Sequence, residues 1–167
     1  MKFLKYVIPF SIVAGASPAL ANEYRMEYMH ANDEHQYVLG VDSGHNLLRF
    51  GGELEHADHQ TALTGNAGVN IAGPLEIVVK PRVEIGYSDA GHLNYGASIA
   101  VEHPFNRYVI GEVSYRYRNA FDDPFESSRF GAGVKVPISF NTTLAARYVH
   151  DIHNHYDGAQ FGVEVHF

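Results

Sequence analysis

Apolar and polar residues alternate along most of the chain from Tyr24 to Phe167. The clearest example is the final segment, in which Phe161, Val163, Val165 and Phe167 alternate with polar residues or glycine. Successive side chains of a β-strand point to opposite faces, so a period of two residues indicates strands. No segment has the 3.6-residue period of an amphipathic helix. The sequence therefore predicts an all-β protein.

The alternating segments number about ten. They begin near Glu23, His35, Asn46, Ala62, Leu75, His92, Arg107, Arg129, Thr142 and Gly158. An even number of strands allows an antiparallel sheet to close into a barrel, and eight or twelve strands are the alternatives. Tight turns are predicted at one end of the barrel, at residues 43–45, 73–74, 104–106 and 139–141. Longer acidic loops are predicted at the other end, at residues 31–34, 57–60, 88–91, 119–128 and 152–157.

The two faces of these strands differ in chemistry. One face is apolar and rich in tyrosine, as in Tyr24, Met26 and Tyr28. The opposite face holds nine cations: Arg25, Arg49, Lys80, Arg82, Arg116, Arg118, Arg129, Lys135 and Arg147. It also holds eight carboxylates: Glu27, Glu53, Glu55, Glu76, Glu84, Glu102, Glu112 and Glu164. Each Arg or Lys facing lipid near the membrane centre would cost about 2–4 kcal/mol, so we expect these charges to face an enclosed lumen.

A soluble β-sandwich is the alternative explanation for the apolar faces. The charges in the middle of the strands disfavour it, because a dry sandwich core cannot hold so many ionised groups. Composition excludes other classes. The chain has no Cys, which excludes a disulfide scaffold and a thiolate site. Its 19 acidic residues exceed its 12 basic ones, which argues against a nucleic-acid partner.

The first 21 residues have the features of a secretory signal. Lys2 and Lys5 precede an apolar stretch at residues 6–16, and Ala19, Leu20 and Ala21 form an A-x-A cleavage site. The apolar stretch is about half the roughly 20 residues that a membrane-spanning helix needs. We therefore expect export, with residues 1–21 removed and residues 22–167 forming one domain.

The final segment, an alternating strand closed by Phe167, resembles the C-terminal signature of bacterial outer-membrane β-barrels. This resemblance implies a closed antiparallel transmembrane β-barrel in the outer membrane of a Gram-negative bacterium. It also implies contact with outer-membrane lipid and recognition of the strand ending in Phe167 by the barrel assembly machinery.

Two further segments are similar to strands of the oligogalacturonate-specific porins: Glu23 to Tyr28, with the sequence EYRMEY, and Tyr115 to Arg118, with the sequence YRYR. That family implies a monomeric narrow channel for short acidic sugars, with lumen Arg and Lys contacting the sugar carboxylates. Its barrels have twelve strands and a more basic interior than the near balance of cations and carboxylates found here.

A ten-stranded interior lies close to the size that side chains alone can fill. The sequence therefore predicts a narrow passive channel for small polar or anionic solutes. The predicted pore-lining residues are Arg25, Arg49, Glu53, Lys80, Arg82, Glu84, Glu112, Arg116, Arg118 and Arg147. Interleaved Arg and Glu could instead pair across the lumen and plug it.

Histidines in the predicted loops offer an alternative function. The spacings His56-x-x-His59 and His153-x-His155, with Asp151 nearby, could hold Zn²⁺ or Cu²⁺. Spacing in a loop does not fix ligand geometry, and solvated loop residues are the simpler interpretation. The alternative is thus a non-conducting surface barrel whose His- and Asp-rich loops bind a metal or an envelope or host partner. No cofactor is expected.

Two acidic motifs bear on catalysis. Asp122-Asp123 and Asp151-x-His153 loosely resemble the acidic pair and the Asp–His dyad of the omptin proteases. The acidic pair is adjacent here rather than spaced, and the chain is too short to raise its strands well above a membrane. The His-x-Ser element of lipid A deacylases does not occur in the sequence. We therefore expect no enzymatic activity.

Overall fold

The computed structural model describes residues 23–31, 34–45, 47–57, 60–121 and 126–167, and the side chains of all of these except Glu34 and His45. The predicted signal, residues 1–21, lies outside the described residues. The strands are β1 (Glu23–Ala31), β2 (Glu34–His45), β3 (Leu48–Ala57), β4 (Gln60–Val69), β5 (Ile71–Ala72), β6 (Val78–Ser88), β7 (Leu93–Asn106), β8 (Val109–Ala120), β9 (Glu126–Pro137), β10 (Thr142–Asp151) and β11 (Tyr156–His166). A short 3₁₀ turn spans Pro74–Glu76. Among the described residues, no helix is long and apolar enough to cross a membrane.

Ten of the strands form a closed antiparallel barrel. Around the ring the order is β1, β2, β3, β4, β6, β7, β8, β9, β10 and β11, and β11 pairs again with β1. The two-residue strand β5 pairs with β6 beside the ring. The predicted all-β barrel of ten strands is confirmed. Each observed strand of the ring begins within three residues of its predicted start.

The pairing of β1 with β11 closes the ring. Its register runs from Glu23 opposite His166 to Ala31 opposite Gly158. Beside this seam the ring of Phe167 meets that of Tyr24 edge to face at 5.4 Å. We call the end of the barrel where β1 begins and β11 ends the terminal end, and the opposite end the far end.

The two ends have connections of more similar length than the sequence predicts. Far-end connections are residues 32–33, 58–59, 89–92, 121–125 and 152–155, while the longest connection, residues 70–77, is at the terminal end. The predicted turns at 43–45 and 104–106 lie within the ends of β2 and β7. Gly44 and Pro104 do not end these strands. Gly44 still pairs with Arg49 on β3, and Pro104 still pairs with Ile110 on β8.

The outside of the barrel is apolar and its inside is charged. The side chains of Phe50 and Ile85 are more than half exposed on the outer face, whereas Glu53 and Lys135 are 6% and 7% exposed on the inner face. A soluble protein has the reverse arrangement, but a barrel surrounded by lipid requires an apolar exterior. The β-sandwich alternative is therefore excluded.

Candidate functional site

All ten predicted pore-lining residues lie on the inner face of the barrel. Nine of them line a cavity of about 180 Å³ that extends from Glu23 at the terminal end to Gln36 near the far end. The tenth, Arg118, lines a second cavity of about 130 Å³, together with Glu55 and His92. The charged lumen is therefore the candidate site.

Glycines on neighbouring strands make room for the long charged side chains. Arg147 lies directly opposite Gly133 in the sheet register, and Arg118 lies opposite Gly96. A Cβ atom placed on Gly133 would come within 2.7 Å of the Cγ atom of Arg147. The arginines therefore lie against the wall over positions that have no side chain, which brings each guanidinium to carboxylates on other strands.

One group of ion pairs runs along the wall from the terminal end to mid-lumen. Lys135 contacts Glu102, Glu112 and Glu164 at 2.7, 2.9 and 2.8 Å. Arg147 contacts two of the same carboxylates, Glu112 at 2.5 Å and Glu164 at 3.3 Å. We call this group the wall cluster, with the members Lys80, Glu102, Lys135, Glu112, Glu164, Arg147 and Glu27. Each of its ion pairs joins strands no more than two places apart around the ring.

A second group crosses the lumen near the far end. Arg118 on β8 donates to Glu55 on β3 at 2.6 Å, and Arg129 on β9 donates to the Gln36 Oε1 atom on β2 at 3.1 Å. The Gln36 side-chain amide donates in turn to Glu55. The Arg118–Glu55 and Arg129–Gln36 contacts each join strands four places apart in the ring of ten. We call Arg118, Glu55, Gln36 and Arg129 the lumen bar.

Glu53 and Glu84 brace the lumen bar on the side of the terminal end. Arg116 donates to Glu53 on the opposite wall at 2.5 Å and to Glu84 at 2.9 Å. Arg118 also donates to Glu84 at 3.1 Å, and Arg25 donates to Glu53 from β1. Arg116, Arg118 and Arg129 thus each have more than one carboxylate or amide oxygen as acceptor.

The lumen bar lies between the two cavities. Gln36 and Arg129 line the first cavity, and Glu55 and Arg118 line the second. Buried apolar residues also face inward on β1, β2 and β10 at this level. They are Met29, Ala31, Val38 and Val149, each 5–6% exposed. Charged and apolar groups together narrow the lumen near the far end.

The inner face holds polar residues that the sequence reasoning did not assign to it. Asp42 accepts two contacts of 2.8 Å from Arg82. Gln36 belongs to the lumen bar, and Asp151 is fully buried at the far end, where Ser127 donates to it at 2.7 Å. The alternation of β2 could have identified Asp42, since it lies two residues beyond the inward Gly40.

One charged residue was assigned to the wrong place. Glu76 was predicted to share the inner face, but it lies exposed in the 3₁₀ turn Pro74–Glu76 with a φ of 60°. Arg49 does lie on the inner face near the terminal end. Among the described residues Arg49 forms no ion pair within 4 Å, unlike the other eight inward cations.

Three of the four predicted metal ligands are described, and they lie at the far end. His56 is 3.0 Å from the Thr61 hydroxyl, and the exposed His153 ring is 3.8 Å from Glu126. His155 is exposed in the same turn, and His59 lies outside the described residues. Within the described part of the chain, no three His, Asp or Glu side chains gather into a metal-binding group. A metal site that includes His56, His59, His153 and His155 stays a prediction.

The Asp151-x-His153 motif has a structural role in its turn. The Asp151 carboxylate accepts from the backbone N–H groups of His153 at 3.0 Å and of Asn154 at 2.9 Å, which fixes the connection between β10 and β11. Arg129 also donates to this carboxylate at 3.4 Å. The other acidic pair considered, Asp122-Asp123, lies outside the described residues.

The fold is similar to solved outer-membrane barrels. A KdgM porin structure has a TM-score of 0.61 at 9% identity, covering 87% of this chain and 99% of that chain. A NanC porin structure has a TM-score of 0.59 at 12% identity with the same coverages. The translocator domain of the autotransporter NalP from Neisseria meningitidis has a TM-score of 0.54 at 10% identity, covering 98% of this chain and 96% of that chain. The sequence matches no protein-family model and no curated protein.

These likenesses show the fold and not the solute. The chain has a closed antiparallel β-barrel fold similar to that of these outer-membrane porins. One of the similar structures is described as a KdgM porin in complex with disordered oligogalacturonate, with a TM-score of 0.62.

Proposed function

We propose that this protein is a narrow porin-like passive channel for small polar or anionic solutes. The observation that supports this proposal is the charged cavity of about 180 Å³ inside a closed outer-membrane barrel. It follows the lumen from Glu23 to Gln36, which is most of the length of β1 and β2. A lumen built only as a packed core would not need a cavity lined by so many charged side chains.

Small size is the main restriction on the solute. Eight-stranded barrels are filled by their side chains and barrels of 16 to 18 strands enclose a broad aqueous channel, so a ten-stranded barrel has little free width. The lumen bar reduces that width further, because it divides the interior into cavities of about 180 and 130 Å³. Ions and very small polar molecules fit this interior, and oligosaccharides require the bar to open.

Charge supplies the second restriction. KdgM is a structural neighbour seen with an acidic sugar, and an acidic solute in this lumen would meet arginines that already donate to carboxylates. Among the described cations that face inward, the one with no ion pair is Arg49, near the terminal end. We therefore expect weak anion preference, set mainly by Arg49.

Single-channel recording in planar bilayers tests the proposal. The purified barrel is expected to show small discrete conductance steps. The double variant Arg118→Gln, Glu55→Gln removes both charges of one bar contact together, so neither charge is left unpaired. Its conductance steps should be larger than those of the wild type, because this ion pair no longer crosses the lumen. The matched control is His153→Gln, Glu126→Gln, which neutralises an exposed pair at the same end and should leave the conductance unchanged.

The second candidate is a non-conducting surface barrel. It is favoured by the lumen bar and by Met29, Val38 and Val149, which bury apolar groups inside the lumen. If neither the wild-type protein nor the bar variant conducts, the channel proposal fails and this candidate replaces it. Its metal-binding form predicts heat on titration with Zn²⁺ that is lost in His153→Ala. No heat at micromolar metal would remove that form.

A further inference from the structure

The second cavity, of about 130 Å³, lies inside the barrel at the far end, against β3, β4, β6, β7 and β8. Its wall is open because it carries four small side chains: Ala57, Ala62, Ser88 and Ala120. The Arg118–Glu55 ion pair of the lumen bar lies two positions deeper on β8 and β3 than Ala120 and Ala57. The second cavity is therefore a small pocket with one ion pair at its base.

Both members of this ion pair keep hydrogen-bonding capacity. Within the described residues the Arg118 guanidinium donates to Glu53, Glu55 and Glu84, which uses three of its five N–H groups. The Glu55 carboxylate accepts one hydrogen bond at each oxygen, from Arg118 and from Gln36, and can accept about two more. The side chains are 10% and 13% exposed. A solute in the cavity thus meets both a cationic donor and an anionic acceptor.

The wall cluster offers less to a solute. Lys135 has three N–H groups and contacts three carboxylates, those of Glu102, Glu112 and Glu164. It therefore has no further donor for a ligand. The base of the second cavity differs from this arrangement, since its guanidinium is not saturated by the carboxylates around it.

The balance of charge restricts the solute that this site can take. The second cavity is lined by one carboxylate and one guanidinium, and the first cavity by eight carboxylates and eight cations. An ion with one charge brings an uncompensated charge into this enclosed interior, which is unfavourable. A zwitterion brings no net charge, and its two ends can contact the two members of the ion pair. The charge balance therefore favours a zwitterion over a simple anion or cation.

The geometry of the ion pair favours one kind of zwitterion. The Arg118 Nη1 and Glu55 Oε2 atoms are 2.6 Å apart. In an α-amino acid the ammonium and the carboxylate are attached to the same carbon atom, so its two charges are also close together. Such a molecule can lie antiparallel to the ion pair, so that each of the four charged groups has two neighbours of opposite sign. Zwitterions with longer spacers between the charges match this pair less well.

We propose that the second cavity is a binding site for a small α-amino acid in its zwitterionic form, with the carboxylate at Arg118 and the ammonium at Glu55. The volume of the cavity restricts the amino acid to a small side chain. This proposal names the class of polar solute for the proposed channel. It rests on that function only for the passage of the solute through the lumen, because binding requires the pocket alone.

Equilibrium dialysis of the detergent-purified barrel with radiolabelled glycine tests the site. The wild-type protein is expected to bind one glycine. Acetate and methylammonium, which each carry one of the two charges, should compete at least about tenfold more weakly than unlabelled glycine. β-Alanine should compete at an intermediate level. Competition by acetate equal to that by glycine would overturn the proposal in favour of an anion site, and the same result with methylammonium would favour a cation site.

A double variant tests the ion pair. Arg118→Gln with Glu55→Gln removes both charges together and should reduce the affinity for glycine at least about tenfold. The matched control is His150→Gln with Asp157→Asn. His150 and Asp157 are 2.8 Å apart and exposed at the same end of the barrel, so their neutralisation should leave glycine binding unchanged.

A second variant tests the space and keeps both charges. Ala62 lies between Glu55 and Ser88 in the sheet register and lines the cavity, so Ala62→Leu should fill it and reduce glycine binding at least about tenfold. The control on the same strand is Ala67→Leu. Ala67 lies on the outer face between Phe50 and Val83, and its replacement should not change binding. Circular dichroism should show an intact β-barrel for every variant.

The outcomes separate this proposal from the proposed function. Equal glycine binding in Ala62→Leu and Ala67→Leu would overturn the site. The absence of glycine binding in a wild-type protein that conducts in planar bilayers would also overturn the site and leave the channel in place. Glycine binding that is lost in Ala62→Leu, in a protein that does not conduct, would support the site and overturn the channel.

Discussion

The ion pairs of the wall cluster and those of the lumen bar use the same kinds of side chain in opposite ways. In the wall cluster, Lys135 and Arg147 bind carboxylates on strands at most two places away, so the charges stay against the wall. In the bar, Arg118 and Arg129 reach strands four places away, so the charges cross the lumen. The cavity of about 180 Å³ is lined by all members of the wall cluster, by Arg116 and Glu53, which also contact each other across the lumen, and by Gln36 and Arg129 of the bar.

This difference shows that the balance of charges does not by itself fix how the charged side chains are arranged in a barrel lumen. Both regions pair cations with carboxylates, and both bury them. The two regions differ in how far around the ring each partner lies. The following variants test whether crossing contacts and wall contacts also differ in their effect on stability.

The largest effect is expected for Glu53→Gln. Glu53 accepts hydrogen bonds from Arg25, Arg116 and Arg118, so its neutralisation leaves several buried guanidinium groups short of a counter-charge. The free energy of unfolding should fall by about 3–5 kcal/mol. Urea unfolding in lipid vesicles, followed by tyrosine fluorescence, measures it. Glu126→Gln, beside the exposed His153, should change stability by no more than about 1 kcal/mol.

A smaller loss is expected for Glu112→Gln in the wall cluster. Glu112 contacts Lys135 at 2.9 Å and Arg147 at 2.5 Å, and each of these cations keeps two other carboxylates. The same unfolding measurement should show a loss of about 1.5–3 kcal/mol. Single-channel conductance should not increase, since no crossing contact is removed. A loss of stability greater than that of Glu53→Gln would contradict the comparison.

The wall glycines give a third test. A Cβ atom at Gly133 would lie 2.3 Å from the Ala146 carbonyl oxygen and 2.8 Å from the Arg147 Cα atom, so β10 must shift. At Gly40 the nearest atom is the flexible Arg25 Nε at 3.3 Å. Gly133→Ala should therefore cost about 1–3 kcal/mol, and Gly40→Ala clearly less. Equal losses in urea unfolding would show that the glycines do not provide space for the charged side chains.

The smallest effect on stability is expected for Arg49→Gln. Within the described residues this cation has no ion pair, so the free energy of unfolding should change by no more than about 0.5 kcal/mol. If the barrel conducts, the reversal potential in a salt gradient should shift toward cation selectivity. A stability loss as large as that of Glu112→Gln would mean that Arg49 is part of a charged network.

Most of the fold could be predicted from the sequence, because the period of two is a local property of each strand. The start of β10 at Thr142 was predicted correctly, and other starts differ by no more than three residues. The largest differences include β6, which was expected from Leu75 and begins at Val78. Leu75 has a φ of 58° in the 3₁₀ turn, and an apolar residue in such a strained turn gives no sequence signal that distinguishes it from a strand.

The candidate site could be predicted only in part. Alternation identifies which residues face inward, and it placed Arg118 and Glu55 in the lumen. It cannot say that they contact each other, because they are 63 positions apart and meet through the tilt and register of strands on opposite walls. Asp151 was considered only as a neighbour of the loop histidines, and its burial depends on Ser127 and Arg129 from β9.

The seam between β1 and β11 has a consequence for how the barrel is made. Every other pairing in the ring joins strands that are close in sequence, whereas the seam joins Glu23 to His166 and must wait for the whole chain. Contacts between such distant segments form slowly, because the entropy of closing the loop is lost first. Glu27 on β1 accepts hydrogen bonds from Gln160 on β11 and Arg147 on β10. Closure of the ring therefore also completes these contacts of the interior charge network.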